Sequence, residues 1–155
     1  QIRALVLSNT GAKIGTAAMW ESRIATVRAQ GVEGLADAIL QRWFPPAFRN
    51  STEGRAWRHM LVRTPVAGYT GCSAAIAGSD FYATTATLRL PALAIAGSED
   101  GSTPPDLVRE MIELIPGSRF ALIRGSGHLP CVDQPEAYSA VLTEFLTSLG
   151  HGAGV

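Results

Sequence analysis

Apolar positions along the chain change their period from segment to segment. Residues 2–9, IRALVLSN, form a short aliphatic run ending in Asn9-Thr10-Gly11, the pattern of a buried strand followed by a turn. From about Thr16 to Thr87 the spacing turns helical, in TAAMWESRIATVRAQG, VEGLADAILQRWFPP and EGRAWRHMLVRTP, each closed by Gly or Pro. LPALAIAGSED then returns to a continuous apolar run, which predicts a strand at about Ala92 to Ala96 covered on both faces of a parallel sheet. Thr103-Pro104-Pro105-Asp106 supplies a capping hydroxyl, prolines for the first turn and an acidic residue ahead of the helix DLVREMIELIPG. SRFALIRGSG reads as a third strand, and Asp133-Gln134-Pro135-Glu136 repeats the capping pattern before AYSAVLTEFLTSLG runs to a stop at Gly150. The tail HGAGV is expected to fray.

Strand, helical insert, strand, helix, strand, helix is α/β organisation with a parallel sheet. Residues 1–13 and 88–150 make the α/β core in this reading, and 14–87 a helical insert. With 155 residues, 46% of them hydrophobic, the chain is long enough for one domain with a real core. Lys plus Arg balances Asp plus Glu at 13 each, which leaves no excess charge to draw it to nucleic acid or an anionic membrane. The apolar runs are short and broken, so nothing marks membrane insertion or export. The only cysteines, Cys72 and Cys131, are too few for a disulfide scaffold and lack CxxC spacing, which favours a reduced, cytoplasmic setting.

In an open parallel sheet, ligands gather at the carboxyl ends of the strands, and two loops leave polar groups there. Asp100 follows the second strand in GSEDGS, and His128 follows the third in GSGHLP. Neighbouring strands lie about 4.8 Å apart, so a carboxylate on one and an imidazole on the next can meet, the carboxylate orienting the imidazole as a general base. Either residue alone is most simply a turn-former or a surface side chain; the joint pattern, in the order Asp then His, favours function. Glu99 competes with Asp100 for the acid role. No HxH, HExxH, CxxC or phosphate loop occurs, so neither metal nor organic cofactor is expected.

The segment LPALAIAGSEDGSTPPDLVREMIELIPGSRFALIRGSGHLPCVDQPEAYSAVLTEFL resembles the C-terminal part of α/β-hydrolases, and closely the 3-oxoadipate enol-lactonases. RALVLSNTGAKIGTAAMWESRIATVRAQGVEGLADAILQRWF and GYTGCSAAIAGSDFYATT are similar to the same family's strand-to-cap segment and helical cap, so the resemblance covers nearly the whole chain. It implies the C-terminal part of an α/β-hydrolase fold with residues 14–87 as the cap, and a Ser-Asp-His triad with Asp100 as the acid and His128 as the base. It also selects Asp100 over Glu99. The chain departs from the family at the nucleophile, since no GxSxG occurs; the nearest string, Gly71-Cys72-Ser73-Ala74-Ala75, lies in the insert with no strand before it. The expectation is therefore that an N-terminal half or a partner chain supplies the serine, and that this chain alone is inactive.

Weaker candidates remain open. Ser73 or Cys72 could be activated by His128, although small residues in GCSAAIAG suit close helix packing better. Cys131 lies three residues after His128 but fits an inert thiol near a helix start. Trp20 could wall the substrate pocket or simply pack the cap. Arg23, Arg42, Arg55, Arg58 and Arg63 could each pair with a substrate carboxylate, and none stands out. The resemblance implies a small-molecule lactone substrate; an inactive remnant, or a hydrolase of another ester or lactone, are the competing readings.

Overall fold

The computed structural model describes residues 2–151. Residues 152–155 of the expected frayed tail lie outside that range. Strands β1 (Leu5–Ser8), β2 (Ala92–Gly97) and β3 (Arg119–Ile123) form one parallel sheet in the order β1-β2-β3. The register pairs Leu5 with Ala92 and Leu93 with Arg119. Between β1 and β2 run α1 (Ala17–Gln30), a 3₁₀ turn (Val32–Leu35), α2 (Ala36–Trp43), α3 (Pro46–Arg49), α4 (Thr52–Val62), α5 (Val66–Ala77) and α6 (Tyr82–Thr85). Helix α7 (Pro105–Glu113) connects β2 to β3, and α8 (Pro130–Asp133) and α9 (Pro135–Ser148) follow.

Strand β2 is buried at every position, as its unbroken apolar run requires. Its alternation sorts the two faces. Ala92, Ala94 and Ala96 pack with Val108, Met111, Ile112 and Ile115 around α7, and Leu93 and Ile95 meet Ile123 and Phe145 on the α9 side. The alanine face lets α7 lie close to the sheet. Strand β1 is half-buried throughout, and among the described residues only β2 pairs with it, so its other edge is open.

The insert has its own apolar cluster, in which Val27, Val32, Ile39, Leu40, Phe44 and Leu61 are buried. Each such side chain, fully buried, contributes about 1.5–3 kcal/mol. Leu129 and Val132, beside His128, pack against this same cluster and tie the insert to the end of β3. Local signals set the helix ends: Thr16 and Ser51 accept backbone N–H bonds from Met19 and Gly54, and α1 stops at Gly31, whose φ of +72° suits a residue without Cβ.

Two predicted caps are not caps. The N-cap position of α7 is Pro104 and that of α9 is Gln134, neither with a side-chain capping bond. Thr103 and Asp133, the residues expected to cap, spend their side chains elsewhere, and the reason lies in the candidate site.

Candidate active site

Because the sheet is parallel, the residues after β1, β2 and β3 emerge at one edge. The loops after β2 and β3 are stitched together by bonds from Ser98 N to Ile123 O (2.9 Å), Glu99 N to Ser126 O (2.8 Å) and Gly125 N to Ser98 Oγ (2.9 Å). Glycine permits the close approach: a Cβ on Gly97 would sit 2.0 Å from the Gly127 carbonyl oxygen, and one on Gly127 would sit 2.1 Å from the Trp43 carbonyl oxygen. In the GSG before His128, Gly127 thus answers backbone crowding, whereas Gly125 answers a φ of +70°.

This arrangement brings Asp100 and His128 together. His128 Nδ1 lies 2.8 Å from Asp100 Oδ2, with the Asp100 side chain fully buried and that of His128 22% exposed. Asp100 also accepts from Asn9 Nδ2 (3.0 Å), Thr103 Oγ1 (2.8 Å) and the backbone N–H groups of Ser102 (2.7 Å) and Thr103 (2.9 Å). Burial pushes the Asp100 carboxyl up, but the bonds from His128 and Asn9, the nearby imidazole charge and the Thr103 amide outweigh it and hold the group below the usual carboxylate range. An ionised Asp100 can only accept, so in the neutral imidazole the proton belongs on Nδ1 and Nε2 carries the lone pair. That is the geometry of an oriented general base.

Thr103 therefore bonds Asp100 rather than capping α7. Asp133 likewise holds the loop before His128, accepting from Ser126 Oγ (2.5 Å) and Gly127 N (2.7 Å). Capping and site support ask for the same short polar side chains, so sequence alone cannot separate them.

His128 lines a cavity of about 460 Å³ together with Trp20, Arg23, Arg42, Trp43, Tyr69 and Ser73. Trp20 is 7% exposed and donates its indole N–H to the Ile14 carbonyl (2.6 Å), so it both packs the insert and walls the cavity. The Arg23 guanidinium sits 5.0 Å from the centre of the Trp20 ring and donates to the Tyr69 hydroxyl at 3.4 Å. Burial, and then the charge of Arg23, draw the Arg42 guanidinium below its usual range. Among the described residues neither arginine forms a salt bridge, whereas Arg58 is paired with Asp37 at 2.9 Å. The insert thus gives the cavity a cationic wall.

Helix α2 joins this wall to the pair. Its terminal carbonyls, from Arg42 and Trp43, accept the N–H groups of Gly101 (3.0 Å) and His128 (2.7 Å). The Trp43 and His128 rings stack with centroids 6.4 Å apart.

The other candidates stand apart from the pair. Glu99 is exposed, while its neighbour Asp100 is buried. Ser73 and Cys72 line the cavity from α5, but among the described residues no hydrogen bond joins either to His128, as a nucleophile and its base require. Cys131 is an exposed free thiol on α8. Arg55 and Arg58 line a separate surface hollow. Among the described residues no group of three His, Cys, Asp or Glu side chains could hold a metal ion, and no helix is long and apolar enough to cross a membrane. Asn9 reads from sequence as a turn former; the signal for its place in the site is its position immediately after the first strand, at the edge that also holds Asp100 and His128.

No family model matches the chain. It is 31% identical over 137 residues, 87% of its length, to 3-oxoadipate enol-lactonase 2 of Acinetobacter baylyi, and 30% identical over 148 residues to enol-lactonase 1 of that organism. Its structure matches the enol-lactonase of Burkholderia xenovorans with a TM-score of 0.88 at 30% identity over 94% of the chain. A hydrolase of Pseudomonas aeruginosa (0.86, 34%) and a malate-bound thermophilic esterase of Thermogutta terrifontis (0.85, 28%) are similar over 94% and 96% of the chain. The chain spans about half the length of these relatives, 51% and 55% of the two curated enol-lactonases and 56% of each of the three solved chains.

Proposed function

From the premise that this chain has an α/β-hydrolase fold, we propose that it carries the acid, the base and the substrate-reading wall of a hydrolase that opens 3-oxoadipate enol-lactone to 3-oxoadipate. It corresponds in this reading to the C-terminal half of such an enzyme, with residues 14–87 as the cap. The observation that carries the proposal is the 2.8 Å contact between the buried Asp100 carboxylate and Nδ1 of His128, which lines a cavity with two arginines that lack a carboxylate partner among the described residues.

The serine comes from outside this chain, on a segment that pairs with the open edge of β1. That edge and the apolar hollow beside it, lined by Leu5, Leu7, Ile76, Leu88 and Met111, suit a further strand and helix. His128 Nε2 takes the serine proton as Oγ attacks the lactone carbonyl, and Asp100 stabilises the resulting imidazolium. Collapse of the tetrahedral intermediate breaks the ring C–O bond, and the enol oxygen leaves with the proton held by His128. The enol tautomerises to a ketone, which draws the opening forward. A water, deprotonated by His128, then attacks the acyl-enzyme; the serine recovers its proton and 3-oxoadipate departs. Arg23 and Arg42 hold the substrate carboxylate, and Trp20 packs against the ring.

A fluorophosphonate probe and the enol-lactone test this directly. The 155-residue chain is expected to resist labelling and to show no turnover, and to gain both when assembled with a half bearing GxSxG. Labelling of Ser73 in the isolated chain would overturn the external nucleophile. A second reading, hydrolysis of other carboxylate-bearing esters, is favoured by the similarity to a malate-bound esterase; comparing turnover of the lactone with that of a malate ester separates the two.

A further inference from the structure

The open sheet places three strand ends at one edge, but the acid and base use only two of them. The third, after β1, presents Asn9. We propose that Asn9 is a positioning residue that locks the acid and the loop of the base into one register, a role that rests on Asp100 and His128 being the acid and base.

Asn9 is buried and is the only non-glycine described residue with a positive φ, +48°. Asn tolerates this left-handed conformation better than most residues, and the bond from its N–H to the Ile95 carbonyl (2.8 Å) holds it there. The bend turns the side chain across the ends of β2 and β3. Its Nδ2 donates one hydrogen to Asp100 Oδ2 at 3.0 Å and the other to the Gly127 carbonyl at 3.2 Å. Both partners are acceptors, which fixes the amide orientation, and Oδ1 accepts from Ser8 Oγ at 3.0 Å.

One NH₂ group therefore spans the two halves of the pair. Asp100 Oδ2 is the atom that faces His128 Nδ1, so the Asn9 bond fixes the oxygen that orients the ring. Gly127 immediately precedes His128, so the second bond fixes the backbone from which the ring projects. Thr103 and the Ser102 amide hold Asp100 from its own loop, and Asp133 holds Gly127 from α8; among the described residues Asn9 alone bonds both. Only a short side chain with two donors satisfies this site. Asp offers none and adds a negative charge beside Asp100, Leu offers none, and Gln places its donors one methylene too far.

The test uses the low-field proton resonance of the His128 Nδ1–H···Asp100 bond, read in this chain, with activity read after assembly with the nucleophile-bearing half. Asn9→Leu and Asn9→Asp are expected to shift or abolish that resonance and to lower kcat about 10- to 100-fold, with KM changed less than about twofold. Asn9→Gln is expected not to restore either. A resonance and a kcat unchanged in Asn9→Leu would overturn the proposal. So would a kcat loss that follows the melting temperature while the resonance stays in place. If assembly yields no turnover but the resonance responds to Asn9, the lactonase reading fails and the positioning role stands.

Discussion

The two sides of the cavity are built on opposite plans. On the strand-end side the acidic and basic side chains are held by several bonds: Asp100 takes bonds from Asn9, Ser102, Thr103 and His128, and the loop before His128 is held by Asp133 and by the Trp43 carbonyl. On the insert side, Arg23 and Arg42 face the same space without a carboxylate partner. Saturated hydrogen bonding suits a group that must keep one geometry through a reaction, whereas unpaired charge is tolerated where a ligand completes it. Under the proposed function, the difference matches chemistry on the loops and recognition on the insert.

The largest effect expected on the chemical side comes from Asp100→Asn. The amide can no longer serve as an ionised acceptor for Nδ1–H, so the imidazole loses its tautomer and its counter-charge. In the assembled enzyme kcat is expected to fall about 10⁴-fold, with product affinity little changed. A loss of affinity equal to the loss in rate, seen by titrating 3-oxoadipate into wild type and variant, would break the division of labour.

Arg42→Leu probes the other side. A charge-assisted bond to a carboxylate is worth about 1.5–3 kcal/mol, so KM for the lactone is expected to rise about 10- to 100-fold with kcat nearly constant. A neutral ester of similar size, assayed in parallel, should be indifferent. An equal effect on the neutral ester would mean that Arg42 acts through its backbone contact to Gly101 rather than by reading charge. Arg23→Leu is expected to do the same more weakly, since Arg23 is already engaged with Trp20 and Tyr69.

The boundary between the two plans is a single glycine. Gly127→Ala puts a Cβ 2.1 Å from the Trp43 carbonyl oxygen. Because the atoms met are the backbone of Trp43 and Phe44, something must move, at a cost of about 1–3 kcal/mol. Thermal melting is expected to fall, and kcat with it, because the same shift displaces the amide of His128. Gly31→Ala, where a Cβ meets nothing within 4 Å, is the control, destabilised only by its positive φ.

These comparisons also mark how far the sequence could be read. The three strands and the meeting of Asp100 with His128 were legible because they rest on strong local signals: unbroken apolar runs and Gly-rich loops after two of them. Asn9, Thr103 and Asp133 were not, because a short polar side chain near a turn or a helix start serves equally well as turn former, cap or support, and only the tertiary approach of three strand ends selects the use. The arginines stayed unresolved for a related reason. Arg23, Arg42, Arg55 and Arg58 all sit in the insert, and their partners, Asp37 for Arg58 and the Asn50 carbonyl for Arg55, become visible only when the helices are packed.

The smallest effect separates the two regions by pH and salt. Asp100 and Asp80 both lie below the ordinary carboxylate value of 3.8, for different reasons. Asp80, on the insert and exposed, is held down by the Lys13 ammonium at 3.0 Å and by the Tyr82 amide. Asp100 is held down against its own burial by the bonds described above. A folded-state value below the unfolded one gives stability that is complete above about pH 4 and is lost as pH falls through the lowered value. The melting-temperature gap between wild type and Asp100→Asn is therefore expected to be present at pH 7, to narrow below pH 4, and to survive salt of about 1 M, where screening reaches about 3 Å in water but acts little on a buried group. The Asp80→Asn gap should be small at pH 7 and vanish in the same salt. If salt erased both gaps alike, the Asp100 carboxylate would be reached by water and ions, and the loop side of the cavity would share the open design of the insert.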